Sequence, residues 1–156
     1  MIIGGIDPGF SGAIAVINDF DLCETCDMPT IGDGSQKMIN APRLVQFLKE
    51  RDVEFVVVEE VTAIPGCGAG GMFRFGGAYY AALAALQLAC IPYATVRPHK
   101  WKKDMGLSKD KLTSRRKATE RFPSAYQQFE RVKDDGRAEA ALLALWWLDG
   151  RQRSAA

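Results

Sequence analysis

The sequence holds a single histidine, His99, in 156 residues. That excludes zinc centres built on paired histidines. It has no apolar run of 18 or more residues, so no membrane-spanning helix is expected. Behind Met1 there is neither a basic start nor a long apolar stretch. Ile2-Ile3-Gly4-Gly5-Ile6-Asp7 reads as a strand running into a turn rather than a signal peptide, and an intracellular protein is expected. Only four cysteines occur, Cys23, Cys26, Cys67 and Cys90. In a reducing compartment they stay thiols. Cys23 and Cys26 have zinc-like spacing, but no second such pair follows, so small buried or strand-surface cysteines are the better reading. There is no internal repeat and no low-complexity segment.

What is present fits one domain, residues 1–150, with a flexible tail over 151–156. The chain is 47% hydrophobic and 25% charged, ordinary for a packed globular fold. Its formal charge is only +1, but the distribution is uneven. From Arg97 to Lys117 there are nine basic residues against Asp104 and Asp110, a local net of +7. Such a band points to a polyanionic partner, although alone it is equally the solvated face of a helix.

Strands are expected over Met1–Asp7, Ala13–Asn18 and Leu22–Met28, with Pro8 to Gly12 as a turn and Thr30–Gln36 as loop. Asn40 is a good N-cap for a helix with Pro42 in its first turn and an apolar stripe of Leu44, Phe47 and Leu48. Phe55–Glu59 is a continuous apolar run ending in acid, as in a central strand buried on both faces. Ile64–Gly71 is too glycine-rich for regular structure. Met72–Ala89 reads as a helix apolar nearly all round, hence fully buried or at a subunit interface. Tyr93–Val96 is a last strand. Helices follow from Pro98, over Lys109–Phe122, and over Asp134–Asp149. A hairpin followed by alternating strands and helices implies an α/β fold, a mixed sheet flanked by helices.

Four carboxylates fall at strand ends or on one helix face: Asp7, Glu59, Asp135 and Glu139. Clustered like charges are costly unless a cation neutralises them. Oxygen ligands of this kind suit magnesium, with manganese as a substitute. Two such ions about 4 Å apart can clamp a phosphodiester for hydrolysis. Asp134 also precedes Glu139, but only Asp135 is four residues before it and shares its face; Asp134 reads as a cap. Glu59 and Glu60 point to opposite faces of the sheet, and alternation cannot choose between them.

Gly5-Ile6-Asp7-Pro8-Gly9-Phe10-Ser11-Gly12 resembles the opening motif of the RuvC-type Holliday junction resolvases, and Val57-Val58-Glu59-Glu60-Val61 their second. Pro65-Gly66 with Met72-Phe73-Arg74-Phe75-Gly76 is similar to the segment that follows in phage and organellar members. So is Pro98-His99-Lys100-Trp101-Lys102-Lys103, with Asp110-Lys111 and Ser114-Arg115. Asp135-Gly136-Arg137-Ala138-Glu139 resembles the closing acidic motif. The matches run from Ile3 to about Trp147. Two departures stand out: the last two acids are four positions apart where cellular members usually space them by three, and Gly71 replaces a small polar residue.

The resemblance implies an RNase H-like five-stranded mixed sheet and a magnesium-dependent endonuclease that nicks four-way DNA junctions symmetrically. It selects Glu59 over Glu60 as a metal ligand beside Asp7, Asp135 and Glu139. It also implies a homodimer, with the Met72–Ala89 helix as the candidate interface. Asp7-Pro8-Gly9 with Gly12 and Ala13 also resembles the first phosphate loop of sugar-kinase and actin-like ATP-binding domains, but 156 residues leave no room for their second lobe, so no nucleotide cofactor is expected. The compartment would be the cytoplasm or nucleoid of a bacterial or phage-infected cell, or an organelle matrix. Lys100, Lys102, Lys103, Lys109, Lys111, Arg115 and Arg116 would hold phosphates. Phe73, Arg74 and Phe75 would meet DNA at the crossover, a phenylalanine stacking on or wedging beside a base; core packing is the equal alternative for both rings. A broader flap and fork nuclease, or a junction-binding protein without catalysis, are the rival readings on the same fold.

Overall fold

A computed structural model describes residues 1–63, 65–108 and 110–155. Strands β1 (Ile2–Asp7), β2 (Ala13–Asn18) and β3 (Asp21–Asp27) form an antiparallel meander. Asp19 and Phe20, the two residues joining β2 to β3, both have positive φ (45° and 78°). A two-residue hairpin connection of the mirror-image type needs that backbone.

The segment expected as loop, Thr30–Gln36, opens with one strand of a small separate ladder whose other strand lies just beyond it. There β4 (Thr30–Ile31) pairs with β5 (Met38–Ile39), with Thr30 opposite Ile39. Helix α1 (Ala41–Lys49) starts where Asn40 predicts, its side chain accepting from the Arg43 amide at 3.2 Å. Strand β6 (Phe55–Glu59) lies parallel to β1, and β7 (Tyr93–Val96) parallel to β6. The sheet order is β3-β2-β1-β6-β7, the expected five-stranded mixed sheet.

Helix α2 (Ala69–Leu88) begins three residues earlier than the glycine content of the preceding segment suggests. Then come α3 (Pro98–Asp104), α4 (Lys111–Arg121) and α5 (Asp135–Ala155). The last of these runs through the segment expected as a tail, which up to Ala155 is helical.

The alternation of β-strand side chains divides the core in two. Ile3, Ala13, Ala15, Ile17 and Val57 face α5, together with Trp101 and Phe129. Ile6, Ile14, Val16, Val56 and Val58 face α1 and α2, against Leu44, Leu48, Ala82 and Leu86. Every one of these side chains is essentially inaccessible to water. Two glycines set how closely α5 approaches the sheet. A Cβ on Gly5 would land on the Ala140 carbonyl oxygen, and one on Gly136 would stand 2.9 Å from the Gly12 backbone and the Ser11 oxygen. Helix backbone therefore lies directly on β1 and on the β1–β2 turn.

Only one face of α2 is buried, through Ala78, Tyr79, Ala82, Ala85 and Leu86. Phe73, Tyr80 and Leu88 stand in solvent at 83%, 69% and 87% exposure. Of the two expectations for this all-apolar helix, full burial is thus incorrect for the single chain. No helix of the described residues is long and apolar enough to cross a membrane. Cys67 and Cys90 are exposed free thiols and Cys26 is half-buried on β3; the Cys23 side chain lies outside the described groups.

Candidate active site

Strand register brings the first two acids together. Ile6 pairs with Val58, so Asp7 and Glu59 end neighbouring parallel strands. Asp7 continues the Ile3 and Gly5 face, and Glu59 continues the Phe55 and Val57 face, both beneath α5. Glu59, rather than Glu60, therefore lies on the face covered by the helix that carries Glu139. Glu60, on the other face, has the Arg97 Nε at 3.7 Å.

Asp7, Glu59 and Glu139 feel one another's charge. Burial, then the Glu139 carboxylate, pushes Asp7 up to about 6, against the partial relief of a Gly9 amide and the Lys102 and Lys111 ammoniums. Burial likewise raises Glu59 to about 7; Lys102 opposes this, and Asp7 and Glu139 add to it. Asp7 and Glu59 line a cavity of about 130 Å³ whose other walls include Pro8, Phe75 and Pro98.

The positive charge nearest these acids comes from the protein. Lys102 Nζ lies 3.0 Å from Glu139 Oε1 and 3.9 Å from Glu59 Oε2. Buried Ser114 donates to Glu139 at 3.3 Å, and the Trp101 indole donates to Glu59 Oε2 at 2.9 Å. Among the described residues, no three Asp, Glu, His or Cys side chains already stand close enough to cage a metal ion. Asp7, Glu59 and Glu139 share one neighbourhood, with Lys102 between Glu59 and Glu139, but they do not form a closed ligand set.

Asp135, one turn before Glu139, faces Arg115 Nε at 3.0 Å and Lys111 Nζ at 3.7 Å instead. Neither Asp135 Oδ1 nor Arg115 Nε is aligned for a hydrogen bond, although both are buried atoms. They form an ion pair with hydrogen-bonding capacity left over. Asp134 does not cap α5 as expected but closes a capping box on the short 3-10 turn before it, Val132–Asp134. It is wholly buried, accepts from the Arg131 amide at 2.9 Å, and pairs with the Arg131 guanidinium at 2.8 Å. Burial disfavours its charge, yet those bonds outweigh it and hold the carboxyl below the usual range.

The predicted phosphate-binding residues divide by position. Lys102, Lys111 and Arg115 touch the acids. Lys100, Lys103 and Arg116 are exposed outside them, and Arg116 has only a loose 3.8 Å pairing with Glu120. An exposed pair of that kind contributes at most about 0.5 kcal/mol and leaves the guanidinium available. Lys109 lies outside the described residues. Arg74 turns inward, donating to the Gly34 carbonyl at 2.7 Å with its guanidinium 5.3 Å from the Phe10 ring centre. The two phenylalanines part company: Phe73 is exposed, whereas Phe75 walls the acidic cavity. Sequence reasoning missed Trp101 and Ser114 as partners of the acids. Both sit in the quoted motifs, but nothing local to those motifs says which carboxylate they meet.

No family model matches the chain, and no curated protein matches it in sequence. Solved structures do. Thermus thermophilus RuvC, in complex with a Holliday junction substrate, superposes with a TM-score of 0.73 at 19% identity over 97% of this chain and 96% of that one. The fowlpox virus Holliday junction resolvase gives 0.59 at 15% identity over 97% and 99%. The yeast mitochondrial Holliday junction resolvase gives 0.58 at 16% identity over 94% and 77%. With its strand order, two-layer core and helix-on-strand crossing, the chain has the RNase H-like fold of the RuvC-type Holliday junction resolvases.

Proposed function

We propose that this protein is a divalent-metal-dependent DNA endonuclease that resolves four-way junctions. The observation that carries this reading is the meeting of Asp7, Glu59 and Glu139 from two strand ends and a helix, with Lys102, Lys111 and Arg115 alongside. The likeness in fold to a resolvase bound to a Holliday junction supports the choice of substrate.

The residues present fit a hard cation. The donors are all carboxylate oxygens, and two of them are held above the ordinary carboxylate range by burial and by one another's charge. Asp7, Glu59 and Glu139 would hold Mg²⁺, or Mn²⁺ in its place, with Asp135 as the fourth acid. A cation there supplies Lewis-acid polarisation of the phosphodiester and a nucleophile available at neutral pH. The chain's own residues do the rest. Lys102, Lys111 and Arg115 bind the phosphates flanking the cut, and Lys100, Lys103 and Arg116 extend the track. Phe75 and Pro8 give the cavity apolar walls beside the acids. Exposed Phe73 is the ring placed to stack on an unpaired or unstacked base.

The homodimer is part of the same reading. Gly77, Tyr80, Ala84 and Leu88 form one exposed stripe of α2, alternating small and large side chains at close to heptad spacing. Such a stripe fits a second copy of itself about a two-fold axis.

The deciding experiment incubates labelled four-way junction, fork, flap and duplex DNA with the protein in Mg²⁺ or EDTA. Paired symmetric nicks on the junction, abolished by EDTA and by Asp7→Asn while binding persists, are expected. Equal cutting of forks and flaps would widen the substrate class. Tight binding without metal-dependent cutting would leave a junction-binding protein and end the nuclease reading.

A further inference from the structure

We infer that Trp101 is the positioning residue for Glu59, fixing its carboxylate so that one oxygen is presented to a cation. The inference rests on the proposed cation site and adds a residue to it.

Trp101 is completely buried, and its indole N–H donates to Glu59 Oε2 at 2.9 Å. The contact is built into the topology. Val96, the last residue of β7, pairs with Glu59, and α3 begins two residues later at Pro98. The helix thus leaves the sheet beside the acid and carries Trp101 back over it. Lys102 approaches the same oxygen, Oε2. Among the described residues, Glu59 Oε1 accepts no hydrogen bond.

A glutamate carboxylate otherwise turns broadly about its last torsion. The indole bond removes that freedom. The chemistry of the two donors separates their roles. An incoming divalent cation repels the Lys102 ammonium but not a neutral indole, so Lys102 is displaceable and Trp101 is not. A partner that orients a ligand in this way commonly accounts for about ten- to a hundredfold in metal affinity.

The other tryptophans supply the control. Trp146 donates to Asp104 Oδ2 at 2.9 Å, at the end of α3 itself, so its replacement would disturb α3. Trp147 stacks on Phe55 with ring centres 5.1 Å apart, and its buried indole nitrogen has no hydrogen-bond partner. Trp147→Phe therefore removes ring bulk and no bond.

The test is calorimetric titration with Mn²⁺ in the absence of DNA, for the unmodified protein, Trp101→Phe and Trp147→Phe, each first shown to be folded by its melting transition. Trp101→Phe is expected to bind Mn²⁺ about ten- to a hundredfold more weakly, and Trp147→Phe to stay within about twofold of the unmodified protein. In nicking assays the Mn²⁺ midpoint of Trp101→Phe should rise by the same factor, with most of the rate restored at saturation. If Trp101→Phe does not fold, benzothienylalanine at position 101, which exchanges only the N–H for sulfur, is expected to give the same weakening. Unchanged Mn²⁺ affinity in a folded position-101 variant, or equal weakening by Trp147→Phe, overturns the role of Trp101 alone. An unmodified protein that takes up no Mn²⁺ overturns the cation site and this inference together.

Discussion

Lys102 Nζ stands 3.0 Å from Glu139 Oε1, and through that contact α3 and α5 share one charge beside the end of the central strand. With Glu59 Oε2 at 3.9 Å, a single ammonium serves two carboxylates whose exposure is below 15%. Two acids so placed would otherwise repel strongly, because screening by water is weak there.

Lys102→Met should therefore expose that repulsion. In metal-free buffer at pH 8 the variant is expected to lose about 2 kcal/mol of stability. Mg²⁺ should return more of it than it adds to the unmodified protein, because the cation meets acids with no competing ammonium. Thermal melts in EDTA and in Mg²⁺ measure both. An equal rise in melting temperature for the two proteins would refute the competition.

Asp7 makes stability depend on pH. Its folded-state value, about 6, lies above the ordinary 3.8, so the folded chain holds a proton that the unfolded chain releases between those values. Its contribution is then greatest below about pH 4, falls as pH rises to about 6, and is level above that, while Glu59, raised to about 7, carries the decline on to about pH 7. Asp7→Asn removes the Asp7 share of this dependence. It is expected to be more stable than the unmodified protein at pH 7.5 by up to about 3 kcal/mol, with the advantage fading towards pH 4. Denaturant melts across that range, in EDTA, give the answer. A less stable variant at pH 7.5 would contradict the buried-charge account.

Gly5→Ala is expected to be among the most damaging single substitutions in the chain. The added methyl collides with the Ala140 carbonyl, which is helix backbone and cannot rotate aside. A loss of at least about 3 kcal/mol should follow. Gly70→Ala is the contrast: a Cβ there meets nothing within 4 Å, and replacing a helical glycine should add up to about 1 kcal/mol. Urea denaturation of both compares them directly.

Tyr80→Asp tests self-association. Tyr80 is 69% exposed in the single chain, so its replacement should leave the monomer's fold intact. In a two-fold contact the substitution would bury two carboxylates, at several kcal/mol. Sedimentation velocity should show a dimer for the unmodified protein and a monomer for the variant, with paired nicking reduced to unpaired cuts. Identical sedimentation of the two would remove α2 as the interface.

How far the sequence foretold these features depends on the range of the interaction involved. Phe55–Glu59 and Ala13–Asn18 were legible with correct bounds because unbroken apolar runs of that length have few other uses in a small domain. Asn40 marked α1 because a cap acts within three residues. Four glycines between positions 66 and 71 masked the start of α2, which forms at Ala69 against their low helix propensity. The β4 and β5 strands, two residues each, are too short to leave a period. Asp7, Glu59 and Glu139 were visible as motif residues. The diversion of Asp135 to Arg115 and Lys111, and the placing of Lys102 among the acids, were not. Those contacts join positions 20 to 43 residues apart, and a basic band shows its charge without showing which acids it will meet.

The contact of α5 backbone on β1 at Gly5 has a consequence for how the protein fails. Asp7 and Glu139 are carried by two elements with no soft side-chain layer between them at their crossing, so neither can drift while the interior stays packed. Heating should not uncouple these two acids in advance of global melting. Cutting and folded structure should disappear at the same temperature, leaving no warm, well-folded but inert form.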